Sequence, residues 1–438
     1  MRKILIIIPL LIAVLGLMLS GCSFELRSID SLMRPPHTAT ESELKNSINK
    51  LLGDQISYRS PESGENHSAI TLRDINGDGI DEAIVFYVKN DDVSVVRMCV
   101  LTQKDDSWIL VSDFAGNGNG VLSVSFDDLN SDSDEEIMVS WFLFDDKSQT
   151  VMSVYTSGLS EQMLTVSACL SEPYNLMTVS DVFGSNGKQL IIAYSNLTKK
   201  SEKTTLKLIS IDAEDEVQLI NEIKLDDRIT KLSSIVSDIP AESTMPRFYI
   251  DAAISDTQSL TQVIEWNSEL DRFVFLLDGS ADADITVRNG DLLCRDIDGD
   301  GIIEIPLSKP MSESVNSDIS LGFLLEWCKV DDERLVPSEY YVVNLVENYS
   351  LYYPAEWKNK IFVKSDNAAR TWNFVNTDDE VLFNVTAFNF NEWDENSANV
   401  TEMLMMQNDT VYCCTITPAG EIAGITEVDL LKYFSLNL

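Results

Sequence analysis

The sequence predicts a mainly β fold: a β-propeller of about five four-stranded blades, followed by a small C-terminal α+β domain. Three observations lead there. One pattern recurs five times at intervals of roughly 54 residues: an acidic loop, an apolar strand, then two strands split by a polar turn. Counted with the strand that enters its loop, each recurrence holds about four strands, and such a unit buries both faces only by packing on neighbours of its own kind. The recurrence stops after Val343.

The loops carry the chemistry. Three are well preserved, Asp74 to Glu82, Asp128 to Glu136 and Asp296 to Glu304. Side-chain oxygens at positions one, three and five converge if the chain turns sharply near position six. These oxygens belong to Asp74, Asn76 and Asp78, to Asp128, Asn130 and Asp132, and to Asp296, Asp298 and Asp300. Gly79 and Gly301 supply the turn, since glycine accepts positive φ without a steric penalty. The main-chain carbonyls of Ile80, Asp134 and Ile302 at position seven and the carboxylates of Glu82, Glu136 and Glu304 at position nine complete the set. Hard oxygen ligands in that number suit Ca²⁺. An EF-hand would end on glutamate at position twelve, where this chain has Val85, Val139 and Leu307, so that reading fails.

The competing reading is a tight Asp/Asn/Gly turn that binds nothing. The Asp74 and Asp296 loops are read as calcium sites; the Asp128 loop, which lacks the glycine, is balanced between site and turn. Two eroded copies, Asp181 to Gly187 and the stretch after Asp238, are read as turns.

Apolar strands follow the loops at Glu82 to Tyr87, Glu136 to Phe142, Gln189 to Tyr194, Arg247 to Ala253 and Glu304 to Leu307. Polar turns fall at equivalent places, Lys104 to Ser107, Gly158 to Glu161, Asp212 to Glu216, Asn267 to Asp271 and Asp331 to Glu333. This pattern, over about Ile70 to Val343, resembles the FG-GAP/VCBS-type repeats of integrin-like propellers, most specifically at Asp74 and Asp296. The resemblance implies calcium in the loop that joins the inner strands.

The N-terminus predicts an address. Arg2 and Lys3, an apolar run from Ile4 to Leu19, and Leu19-Ser20-Gly21-Cys22 resemble the signal peptide and lipobox of bacterial lipoproteins. The run is short for a bilayer span, which takes roughly 20 residues. The resemblance implies cleavage before Cys22, its lipidation, and anchoring to the outer face of the cell membrane, or to an outer membrane where there is one. A polar tether covers 22–43. Thr40-Glu41-Ser42-Glu43 then reads as a capping box before a short helix with Leu44, Ile48, Leu51 and Leu52 on one face, stopped by Gly53. The lead-in spans 44–66, the repeats 67–343 and the α+β domain 344–438.

In that last part strands are expected at Lys360 to Lys364, Thr371 to Val375, Val381 to Phe388 and Thr410 to Thr417. A closing helix is expected at Glu427 to Phe434, with Val428, Leu431 and Leu430 or Phe434 facing inward. The aromatics Tyr352, Tyr353, Trp357, Trp372 and Trp393 read as core rather than as a glycan-stacking surface.

With 71 acidic and 32 basic residues the formal net charge is −39, a field that repels nucleic acid. Only His37 and His67 exist, so neither a histidine triad nor a multi-histidine metal site can be assembled. The cysteines beyond Cys22 follow no zinc or redox spacing. The expectation is a non-enzymatic, surface-anchored lipoprotein whose calcium-stabilised repeats bind an extracellular protein or polysaccharide. An envelope-assembly or sensory accessory role is the alternative, and a carboxylate-based glycan hydrolase or lyase is a remote one.

Overall fold

The computed structural model describes residues 39–436 apart from 106, 144–145, 161–162, 197–202, 242, 278–283, 311–321, 332, 367–368, 392 and 394–401. The segments read as signal peptide and tether, Cys22 among them, lie almost wholly outside the described residues. No described helix is long and apolar enough to cross a membrane.

The chain is mainly β, in six antiparallel sheets laid down almost in sequence order. The first holds β1 (Ile56–Tyr58), β2 (Ile70–Arg73), β3 (Glu82–Lys89), β4 (Asp92–Lys104) and β5 (Ser107–Ala115). The second is β6 (Gly120–Asp127), β7 (Glu136–Leu143), β8 (Asp146–Ser160) and β9 (Met163–Tyr174). The third is β10 (Leu176–Ser180), β11 (Gln189–Tyr194), β12 (Thr205–Ile211) and β13 (Val217–Lys224). The fourth is β14 (Lys231–Asp238), β15 (Arg247–Ala253), β16 (Gln258–Asn267) and β17 (Arg272–Phe275), with β18 (Arg288–Asn289) also on β16. The fifth is β19 (Ile305–Lys309), β20 (Gly322–Asp331), β21 (Arg334–Asn344) and β22 (Tyr349–Tyr352). The boundary expected at Val343 therefore falls inside β21, and this sheet gains its fourth strand after it.

The sixth sheet contains β23 (Phe362–Asp366), β24 (Thr371–Val375), β25 (Val381–Asn389), β26 (Glu402–Gln407) and β27 (Thr410–Ile416), in the order β23-β24-β25-β27-β26. Helices α2 (Pro418–Ile422) and α3 (Glu427–Tyr433) follow, and β28 (Phe434–Ser435) returns to pair with β22. Helix α1 (Ala39–Leu52) precedes everything, so Thr40 to Glu43 lies within its first turn rather than capping it from outside. Gly53, at φ +89°, ends it as expected.

Each sheet packs a face on the next because its strands alternate between two apolar sides. Ile84, Phe86 and Met98 of the first sheet meet Val139, Trp141 and Tyr155 of the second. The same contact repeats between second and third, third and fourth, fourth and fifth, and fifth and sixth sheets. The other face of the first sheet, Ala83, Val85 and Tyr87, is covered by Leu44 and Ile48 of α1. Hence β3 is buried from Glu82 to Val88. Among the described residues no apolar cluster joins the first sheet to the sixth.

A buried ion pair ties the excursion after β17 to the fourth sheet. Arg288 and Asp251, 2% and 0% exposed, meet at 2.8 Å, and Asp251 also accepts from Thr261 Oγ1 at 2.6 Å and Cys294 N at 2.8 Å. The remaining guanidinium protons go to Thr261 Oγ1 and to the Leu292 and Thr286 carbonyls, so this desolvated pair leaves no bond unmade.

The closing helix ends at Tyr433, and its expected inward face is met only in part: Leu430 is buried, as is Phe434 at the start of β28, whereas Val428 and Leu431 are 74% and 43% exposed. Tyr353 and Trp372 are core, Trp357 packs against that core, and Tyr352 and Trp393 are half-buried. The described cysteines are free thiols, all buried except the half-buried Cys169.

Candidate metal-binding loops

The Asp74, Asp128, Asp181 and Asp296 loops share one conformation. Positive φ occurs at positions four and six of each: Gly77 and Gly79, Ser131 and Ser133, Gly184 and Asn186, Gly299 and Gly301. The Asp128 loop thus makes the same turn without glycine, holding two serines where an L side chain is strained. The first aspartate stitches the turn by accepting from the backbone. Asp74 takes Asp78 N and Gly79 N at 3.1 and 2.9 Å, and Asp296 takes Asp300 N and Gly301 N at 3.1 and 2.8 Å. Asp181 takes Ser185 N and Asn186 N at 3.0 and 2.6 Å, and Asp128 takes Ser131 N and Ser133 N at 2.7 and 3.2 Å.

Positions two and nine close the loop. The N–H groups of Ile75, Leu129 and Ile297 donate to Glu82, Glu136 and Glu304 at 3.3, 2.8 and 3.0 Å. In the eroded loop Val182 N donates to Gln189 Oε1 at 2.9 Å, so an uncharged residue holds the fold there without supplying a carboxylate. Ile75, Leu129 and Val182 are 0%, 2% and 0% exposed and plug the gaps between successive sheets. The signal was in the chain: aspartate, an aliphatic residue, then glutamate or glutamine seven places on. Asp238 breaks it. It lies at the end of β14, buried, and takes Tyr249 Oη–H at 3.0 Å and Ile303 N at 2.9 Å instead.

The loops also touch one another. Glu135 N donates to Ile75 O at 2.7 Å, Arg73 forks onto Glu135, and Lys188 pairs with Asp127. They therefore line one edge of successive sheets.

The position-nine carboxylates differ in what answers them. Glu82, 0% exposed, accepts Thr102 Oγ1 at 2.7 Å; burial raises its pKa, and that bond and Ile75 N oppose the rise. Glu136 is also 0% exposed, yet its Oε1 has no hydrogen-bond partner, and burial pushes it up to about 7, with Asp132 and Asp128 adding to the rise. Glu304 Oε1 faces the Lys329 ammonium at 3.3 Å. Lys329 also reaches Asp298 Oδ2 at 3.0 Å and Asp300.

Asp296, Asp298 and Glu304 bring carboxylate oxygens within 4.8 Å of one another, a set that could hold a metal ion. In the Asp74 and Asp128 loops the predicted side chains lie in the same short turn. Asn76 Nδ2 bonds Asp78 at 3.2 Å, Asn130 Nδ2 bonds Asp132 at 3.0 Å, and Ile80 N and Asp134 N cap Asp78 and Asp132. The donor chemistry fits a hard cation, and the orphaned Glu136 Oε1 is a buried carboxyl oxygen without a hydrogen-bond partner.

A separate cleft of about 650 Å³, lined by Asp256, Asn289, Leu292, Phe323, Asn348 and Tyr349, lies at the opposite strand ends and includes no predicted ligand.

No protein-family model and no curated protein matches the chain. Among solved structures it is similar to a hypothetical selenium-binding protein from Sulfolobus tokodaii, at 8% identity over 48% of this chain and 54% of that one, with a TM-score of 0.30. It is likewise similar to the rhamnogalacturonan lyase PL11 of Bacillus licheniformis, at 11% identity over 66% of each chain, with a TM-score of 0.31. This chain thus spans about half of the first and just under two thirds of the second, and at these scores neither likeness bears on function.

Proposed function

We propose that this protein is a lipoprotein held at the outer face of the cell membrane through Cys22, and that its sheets are propeller-type blades. In this reading they present a binding surface to an extracellular protein or polysaccharide. Calcium in the acidic loops stiffens one edge of that surface. The observation that carries the reading is the single loop conformation repeated on successive sheets, with Glu136 Oε1 buried and unanswered among acids. A repeated, mutually bonded set of turns is a way to hold a wide face rigid, and rigid faces lose less entropy on binding.

Calcium bound only to the folded chain raises its stability by mass action, about 2.7 kcal/mol at a hundredfold excess over Kd. The exported chain from Ser23 onward should therefore melt several degrees higher in millimolar calcium than in chelator. Asp74→Ala with Asp128→Ala should remove most of that difference. Superimposed melting curves would leave the loops as plain turns. The anchor is checked separately, by mass spectrometry of the membrane-extracted N-terminus and its loss in Cys22→Ser.

One feature favours the accessory reading. Among the described residues strand β26 pairs only with β27, and it carries exposed Met403, Met405 and Met406, a strip suited to adding a partner strand.

A further inference from the structure

The residue that faces position nine comes from the next strand, and the register names it in the four sheets whose loops keep this turn. Ala83 pairs with Leu101, Ile137 with Tyr155, Leu190 with Ile209 and Ile305 with Cys328. Continuing each ladder by one residue sets position nine opposite Thr102, Thr156, Ser210 and Lys329; Thr102 bonds Glu82 at 2.7 Å and Lys329 meets Glu304 at 3.3 Å. Three sheets offer a hydroxyl at this place; the fifth alone offers an ammonium. Its nitrogen stands 3.0 Å from Asp298 and 3.3 Å from Glu304, and is paired with Asp300 as well. Those are positions three, five and nine, the side chains that a bound cation would draw together.

Glu304 is 0% exposed, its Oε1 makes no well-aligned hydrogen bond, and the Lys329 ammonium at 3.3 Å is the charge that faces it. Its counterpart Glu136 Oε1, in a loop with threonine at the facing position, has nothing at all. One of the two best-preserved calcium motifs in the sequence is therefore already answered by a positive charge belonging to the chain.

We propose that Lys329 is a tethered cation standing in for a metal ion in the Asp296 loop, and that removing it opens a divalent-cation site there. A metal entering the unaltered loop must displace an ammonium from three carboxylates. Entropy favours the resident, because the lysine is already attached and a free ion is not. The inference rests on reading these loops as oxygen cages, but not on whether the Asp74 and Asp128 loops are filled.

The test uses the exported chain carrying Asp74→Ala and Asp128→Ala, so that only the fifth-sheet loop remains. Calcium is titrated calorimetrically to several millimolar, and terbium luminescence gives a second readout. With Lys329 present no saturable site is expected. Adding Lys329→Thr, which installs the residue type of the first and second sheets, should create one site with Kd at about 10⁻⁴ to 10⁻³ M, abolished by Asp296→Ala. Lys329→Arg should stay silent. Saturable calcium binding with Lys329 in place, lost on Asp296→Ala, would overturn the proposal, as would no binding in the Lys329→Thr chain. Should that chain be unfolded in chelator, recovery of its β circular dichroism on adding calcium supports the proposal, and no recovery overturns it. Failure of the metal reading as a whole is distinguishable: it shows as no calcium binding in an Asp296→Ala chain whose other loops are intact.

Discussion

Glu136 is the least comfortable residue on the loop edge. Burial lifts its folded-state pKa to about 7, above the 4.5 of an exposed glutamate. Between those values the folded chain holds a proton that the unfolded chain has lost, so raising pH through this window removes stability. In chelator, stability should fall between about pH 5 and pH 7 with a contribution of at most about 1.4 kcal/mol per pH unit from this group. Glu136→Gln should flatten that slope and raise the melting point near pH 7.5, because a neutral amide needs no counter-charge. Urea melts of both chains at matched pH measure it; parallel slopes would show that the carboxylate is answered by something other than a cation. Thr102 explains why the same experiment on Glu82 should show less: its hydroxyl already supplies one of the missing bonds.

At the scale of the element, much of the strand pattern was legible in the chain. Strands β11, β15 and β24 begin and end where alternation and flanking turns place them, and the hairpin turns at Lys104 and Asp212 fall as expected. What was not legible depends on distant pairing. Lys329 is an ordinary strand lysine until register sets it opposite Glu304. Gln189 looks like lost function until its bond to Val182 is seen. β26 and α2 carry no strong periodicity, and β28 is too short to signal itself.

The docking of the sixth sheet was equally hidden, because besides its apolar contacts it needs room at one position that only glycine leaves. A Cβ on Gly322 would lie 2.3 Å from both the Trp372 ring and Val343 O. Gly322→Val should therefore cost about 2 kcal/mol or more by overpacking. Hydrogen exchange should locate the loss in β24 and β25, and unaltered protection there would show that the sixth sheet docks by other contacts.

Across the whole molecule, packing is between neighbours, as in repeat proteins where stability is a sum of units and interfaces. α1 closes the first face and the sixth sheet follows the fifth, so each interior sheet is supported from both sides. The main-chain bond from Glu135 to Ile75, with Arg73 clasping Glu135, adds a different kind of connection, because it runs from one acidic turn directly into the next. Turns so joined cannot settle independently. An ion that orders the Asp74 turn also fixes the acceptor that the Asp128 turn leans on, so the second ion meets a partner whose ordering has already been completed. Calcium uptake by these two turns should accordingly be steeper than for two separate sites, with a Hill coefficient above one that falls in Arg73→Ala, which removes the clasp but leaves the main-chain bond. On the proposed calcium reading, the row of turns would then respond to the ion's concentration as one threshold device.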